Sequence, residues 1–256
     1  MGLFKKKKDN DSFAVVENRN TLHKNLKFTA AEQYKLLRTN LSFTLPEGEK
    51  CPIIGITSSM RGEGKSTTAI NLAYVLAENG SNVVLIDGDL RLPSVARKMR
   101  IKGSPGITNL LMKQEVPFSS FRTAISNNLY IIPSGPIPPN PSELLGSDRM
   151  KGVLDDLKEV FDYIVIDLPP VNIVSDALSI SNLISGMVVV IREEYTEKKE
   201  LEHCFRQLKL SNVNILGFVM NESRSGDGSY SKYKKNKYYK YGRYYKKRPA
   251  EKDKKK

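Results

Sequence analysis

Two cysteines, Cys51 and Cys204, are all this sequence holds. That is too few for the disulfide framework of a small secreted scaffold. No apolar run approaches the ~18 residues of a membrane-spanning helix, and no secretory signal is visible. These absences point to a reducing cytosol as the compartment. No internal repeat is present. With 256 residues, 39% of them hydrophobic and 27% charged, the chain can build one sizeable core and sits at the upper end for a single domain.

Acidic residues are fewer than basic ones, 28 against 41, for a formal net charge of +13. The excess is local. From Tyr230 to Lys256, thirteen Lys or Arg face two Asp or Glu, a net of +11, and Lys5 to Lys8 add four more positive charges. Asp9 to Ser229 carries 24 basic and 26 acidic residues, a net of −2. The body is nearly neutral and the positive field belongs to the two ends, so the overall charge does not argue for a nucleic-acid-binding fold. No nucleic-acid partner is expected.

Residues 1–28 read as a flexible basic arm, 29–222 as the folded domain and 223–256 as a disordered tail rich in Tyr and Lys. "TAAEQYKLLRTNLSF" (Thr29 to Phe43) predicts a helix, with Thr29 and Glu32 as a capping box. Tyr34, Leu36, Leu37 and Leu41 supply its apolar stripe. Strands are predicted at Ile53–Thr57, Val83–Asp87, Leu129–Pro133, Tyr163–Asp167, Met187–Ile191 and Asn214–Met220. Helices are predicted at 65–79, 148–160 and 197–208. Continuous apolar runs separated by helices imply an α/β fold with a mostly parallel sheet covered on both faces.

"ITSSMRGEGKSTT" (Ile56 to Thr68) follows a strand and opens a helix. Its end, Gly64-Lys65-Ser66, fits the phosphate loop G-x-x-x-x-G-K-[ST], with Ser59 in the first glycine slot and Gly62 as a second flexible point. Small residues let backbone N–H groups approach phosphate oxygens, and the helix N-terminus adds its positive end. Lys65 neutralises phosphate and the Ser66 hydroxyl suits Mg²⁺. "VVLIDGDLR" brings Asp87, Asp89 and Arg91 to the end of one strand, and "YIVIDLPP" brings Asp167 to the end of another. Carboxyl ends of parallel strands are where ligands bind. Three carboxylates beside a triphosphate suit a hard cation. Residues alone therefore reach a P-loop, Mg-nucleotide hydrolase or kinase.

These motifs, with "DGDLRLPS", "DYIVIDLPP", "GPIPPNPSELL" (Gly135 to Leu145) and a run of seven tyrosines near the C-terminus, resemble the bacterial tyrosine kinases of capsule and exopolysaccharide systems, in the cytoplasmic form without membrane spans of its own. The resemblance runs from about Ala31 to the C-terminus. It implies ATP and Mg²⁺ as cofactors and autophosphorylation of Tyr230, Tyr233, Tyr238, Tyr239, Tyr241, Tyr244 and Tyr245, mainly on a neighbouring subunit. Carried over by motif, Ser59, Arg61, Gly62, Glu63, Gly64, Lys65, Ser66 and Thr67 cradle the phosphates. Ser66, Asp87, Asp89 and Asp167 attend the metal, and Asp87 or Asp89 is the base. Asn221 sits where related ATPases contact adenine. The resemblance also implies a membrane-anchored activator or chain-length regulator, a cognate tyrosine phosphatase and recruitment to the inner face of the membrane. A homo-oligomeric ring such as an octamer would form through an E-x-x-R-x-x-R helix. Here that helix reads Glu32, Lys35, Arg38; lysine keeps the charge but not the planar fork. Met60 replaces the second lysine of the partitioning and division-site ATPases.

The competing reading is such a positioning ATPase, with the basic tail touching nucleic acid or membrane. "MGLFKKKK" also suits anionic lipid. A non-catalytic binding module is a third class, against which Lys65, Asp87, Asp89 and Asp167 argue.

Overall fold

A strand that is apolar on both faces needs a cover on each side, and only a sheet flanked by two helical layers supplies it. The computed structural model, which describes Leu26, residues 28–121 and residues 125–223, has that architecture. Six strands, β1 (Ile53–Ser58), β2 (Val83–Asp87), β3 (Leu129–Ile132), β4 (Tyr163–Asp167), β5 (Gly186–Arg192) and β6 (Ile215–Asn221), form one sheet in the order β3-β2-β4-β1-β5-β6. Every pairing is parallel. The helices are α1 (Phe28–Thr44), α2 (Lys65–Glu78), α3 (Val95–Met99), α4 (Ile107–Leu111), α5 (Pro141–Leu145), α6 (Asp148–Lys158), α7 (Asp176–Ser179) and α8 (Lys198–Leu210). The basic run Lys5–Lys8 and the tyrosines from Tyr230 onward lie outside the described residues.

The period of two along each strand sorts the core into two layers. Val83 and Leu85 of β2 pack with α1, α2 and α3, while Val84 and Ile86 pack with α4, α6 and α8. Helix α2 is buried almost all round, from Thr68 to Ala77, because α1 lies over it. The Arg38 guanidinium donates to the Val75 carbonyl at 2.9 Å and ties the two helices together.

Strand limits agree with the sequence reading to within one or two residues. Helix α1 departs from it in two ways. It begins at Phe28, so Thr29 lies inside the first turn rather than ahead of it. Glu32 then pairs with Lys35 at 2.9 Å instead of closing a capping box. Leu36 is half exposed, whereas Leu41 is buried and Tyr34 and Leu37 pack against the α2 layer. The stripe rotates with the 3.6-residue period, which Leu36 does not share with its neighbours. The helices α3, α4, α5 and α7 are too short to show a period and were not legible. In α5, Pro141 stands at the first position, where its missing N–H costs nothing.

Because β2, β4 and β1 are neighbours, their carboxyl ends bring Asp87, Asp167 and Ser58 to one edge, with Asp87 directly opposite Asp167.

Candidate active site

The loop from Ser59 to Gly64 leaves β1 and turns into α2 at a left-handed residue, Gly64, with φ +100. Gly62 is also left-handed, φ +83. Only glycine takes these angles without strain. A Cβ on Gly64 would stand 2.0 Å from Asn221 Nδ2, so two constraints fix this glycine. Gly64→Ala is expected to destabilise the fold by about 1–3 kcal/mol and to abolish tight nucleotide binding. In a urea-denaturation cycle, Asn221→Ala should return part of the loss, since it removes the clashing amide. Strict additivity of the two changes would contradict the clash.

Lys65 is the first residue of α2. Its ammonium lies 2.8 Å from Asp89 Oδ2, 3.4 Å from Asp167 Oδ1 and 3.4 Å from Ser66 Oγ. Burial pushes its pKa down, but Asp167 and Asp89 outweigh that and hold it above the ordinary lysine value, so it stays charged. Asp87 is fully buried. Its Oδ2 accepts from the N–H groups of Ser94 (3.1 Å) and Val95 (2.9 Å), while its Oδ1 has no protein partner. Burial and the facing Asp167 raise its pKa to about 7. Asp167, also fully buried, leaves Oδ2 unpartnered and has its pKa raised by burial. Asp89 has both oxygens engaged, one by Lys65 and one by the Leu92 N–H at 3.1 Å.

The site fits Mg²⁺. Two buried carboxylate oxygens lack partners, the Ser66 hydroxyl is beside them, and all donors are oxygens. Among the described residues no three His, Cys, Asp or Glu side chains form a metal cage by themselves. That accords with an ion that takes few protein ligands and completes its shell with phosphate and water.

The other expected loop residues also make contacts within the fold. Ser59 and Glu63 are both buried, and Ser59 Oγ donates to Glu63 Oε1 at 2.7 Å. The Met60 N–H and Thr196 Oγ1 donate to the same carboxylate at 2.9 and 2.5 Å. Glu63 therefore braces the loop from within. Arg61 and Gly62 are exposed, and Thr67 Oγ1 accepts from Lys98 Nζ at 3.2 Å. Asn221 donates its amide to the Glu63 carbonyl at 3.0 Å. Arg91 forks onto the buried Asp176 at 2.8 and 3.0 Å, fixing the turn after Asp89. The sequence reading missed Lys98, Asp176, Arg192, Tyr195 and Thr196. On α1, Arg38 is engaged with α2 and Glu32 with Lys35. The seven expected phosphoacceptors lie outside the described residues.

A family model described as "ParA: NUBPL iron-transfer P-loop NTPase" matches residues 51–252. Tyrosine-protein kinase YwqD of Bacillus subtilis (strain 168) is 36% identical over 191 residues, covering 75% of this chain and 80% of the relative. The chimerical protein CapA2B2 superposes with a TM-score of 0.70 at 33% identity, over 75% of this chain and 84% of that one. The kinase domain of Escherichia coli tyrosine kinase ETK superposes with a TM-score of 0.69 at 28% identity, over 77% of this chain and 78% of that one. Iron transfer has no support in this chain's own thiols. Cys51 and Cys204 are both buried, and Cys51 packs beside the start of β1 while Cys204 lies on α8.

Proposed function

The chain belongs to the bacterial tyrosine kinase family, within the ParA-like P-loop proteins, and from that premise we propose that it transfers the γ-phosphoryl of Mg-ATP to the tyrosines of its own C-terminal run, on a neighbouring subunit. One observation carries the reading: Lys65 is paired with Asp89 and Asp167 at the start of a helix opened by a glycine loop, and the neighbouring Asp87 keeps an unpartnered oxygen. Phosphates would lie against the loop's backbone N–H groups and the first turn of α2. Lys65 would leave Asp89 for them. Ser66 and Asp167 would hold Mg²⁺, which when bound neutralises the phosphate charge, and Asp87 Oδ1 would stay open to the acceptor.

Asp87 is the better base of the two candidates. It has a free oxygen, and burial with the facing Asp167 raises its proton affinity above that of an ordinary carboxylate, which suits a general base. Both oxygens of Asp89 are occupied. In transfer, the phosphorus–oxygen bond to ADP breaks, the tyrosine oxygen bonds to phosphorus, and the phenol proton goes to Asp87 Oδ1.

Substrate and site are complementary in charge. The acceptor segment carries +11 and the body from Asp9 to Ser229 a net of −2, which favours their encounter. Each phosphotyrosine adds roughly −1.5 to −2 charges, so full modification adds roughly −10 to −14, enough to invert the tail. The tail would then leave the site and loosen the assembly. A ring through α1 would exchange the Glu32–Lys35 pair and the Arg38 bond for contacts with a neighbour. We expect a chain with seven Tyr→Phe changes in the tail to keep one oligomer size when incubated with Mg-ATP, while the wild type dissociates. Equal sizes for the unmodified and fully phosphorylated wild type would contradict the switch.

The setting we propose is the inner face of the membrane, with a membrane-anchored activator, a cognate phosphatase and polysaccharide export as the regulated process. Incubation with Mg-ATP and an activator's cytoplasmic peptide should yield phosphotyrosine in step with ADP. ADP release without phosphotyrosine would support a positioning ATPase instead.

A further inference from the structure

Three consecutive carbonyls of the phosphate loop are each held from outside the loop by a side chain. Tyr195 Oη donates to the Arg61 carbonyl at 3.0 Å, Arg192 Nη1 to the Gly62 carbonyl at 3.3 Å, and Asn221 Nδ2 to the Glu63 carbonyl at 3.0 Å. The donors come from the carboxyl ends of β5 and β6 and the turn that leads to α8. The peptide unit is planar and trans, so its C=O and N–H point in opposite directions. Fixing the carbonyls of Arg61, Gly62 and Glu63 outward therefore turns the N–H groups of Gly62, Glu63 and Gly64 inward, toward the concave side of the loop.

The clasp is built closely. Gly62 has φ +83, and a Cβ there would meet Tyr195 Oη at 3.2 Å. The Arg192 guanidinium lies 5.0 Å from the Tyr195 ring centroid, a cation–π distance that holds both donors in register. Thr196, next in the chain, anchors the same turn by donating to the buried Glu63 carboxylate.

We propose that Tyr195 and Arg192 are positioning residues for the nucleotide phosphates. They act on the loop's carbonyls. They set the direction of three N–H donors before the nucleotide arrives, and so lower the cost of ordering the loop on binding. The inference rests on the nucleotide reading of the loop, since the oriented groups are its phosphate donors.

Tyr195→Phe removes one hydroxyl and keeps the ring, the cation–π contact and the net charge, so it does not alter the field on the phosphates. In the full-length protein, titration calorimetry with Mg-ADP and with adenosine separates phosphate from base. The expected result is Mg-ADP binding weakened about three- to tenfold, the scale of one lost hydrogen bond, with adenosine unchanged. The nucleotide-free Tm should move by less than about 2 °C. Arg192→Lys, which keeps the charge and loses the fork, should weaken Mg-ADP in the same direction. Unchanged Mg-ADP affinity in Tyr195→Phe would overturn the proposal. So would equal losses for adenosine and Mg-ADP, or a fall in Tm that accounts for the lost affinity, since each marks a merely structural contact. Absence of Mg-ADP binding in the wild type would instead remove the nucleotide reading itself, which makes the two failures distinct.

Discussion

Lys65→Met is expected to leave the protein folded and to reduce phosphotransfer by at least about 10³-fold, on the scale of losing a preorganised charge that stabilises the transition state. The residue's ammonium is the cation of a buried carboxylate cluster, with Asp89 at 2.8 Å and Asp167 at 3.4 Å. Methionine fills similar space and takes that charge away. Leaving a buried partner uncompensated ordinarily costs about 3–5 kcal/mol. Here Asp87 and Asp167 already sit above the ordinary carboxylate pKa, and losing Lys65 raises them further. A proton can then replace the missing charge. The destabilisation should be small near pH 6 and grow as pH rises, because the folded variant binds protons that the unfolded chain releases. Radiolabel transfer and thermal melts at pH 6 and pH 8 test both halves. Normal transfer in a folded Lys65→Met protein would contradict the site.

Asp87→Asn should cost about 10²- to 10⁴-fold in transfer, the usual contribution of a general base. Nucleotide affinity should change far less, because Asp167 and Ser66 remain. The pH dependence has a definite sign. Asp87 has its folded pKa raised to about 7 from an ordinary 3.8, and only its deprotonated form accepts the tyrosine proton. Wild-type kcat/KM should fall toward acid pH, with a midpoint that bound Mg²⁺ draws below the nucleotide-free value, and the variant's residual rate should lose that limb. Stability runs the other way. Between about pH 4 and 7 the nucleotide-free folded state holds a proton that the unfolded state has released, so stability declines as pH climbs through that window. Asp87→Asn should flatten the decline. A variant with full activity and an unaltered pH profile would move the base to another group.

What could be read in advance followed from physics that is local in sequence. Strands buried on both faces are written as unbroken apolar runs, so Val83–Asp87 and Tyr163–Asp167 were legible to the residue. The strand–glycine loop–helix order placed Lys65 and Ser66, and the strand ends placed Asp87 and Asp167 at the same edge. What escaped was set by contacts distant in sequence. Tyr195 meets Arg61 and Thr196 meets Glu63 across more than 130 residues, and nothing in "REEYTE" signals it. Glu63 is expected in the cradle because it lies inside the motif; that its side chain, buried and held by three donors, also braces the loop from within has no signal in the motif. The capping box at Thr29 and Glu32 failed because the helix starts at Phe28, and Leu36 failed because it lies off the face of α1 that packs against the α2 layer. The Asn221 amide, an adenine contact by resemblance, also donates to the Glu63 carbonyl, a contact that no sequence pattern signals.

The central claim is transfer between subunits onto the C-terminal tyrosines. It is tested most directly by mixing two versions of the chain with Mg-ATP and an activator's cytoplasmic peptide. One carries Lys65→Met, an intact tail and a heavy-isotope label; the other has an intact site and a tail with seven Tyr→Phe changes. Phosphosites are then mapped by mass spectrometry. Phosphate on Tyr230 to Tyr245 of the heavy chain is the predicted result. A heavy tail left unmodified while wild type alone gains phosphotyrosine would contradict transfer between subunits, and ADP production with no phosphotyrosine in either would leave an ATPase in its place.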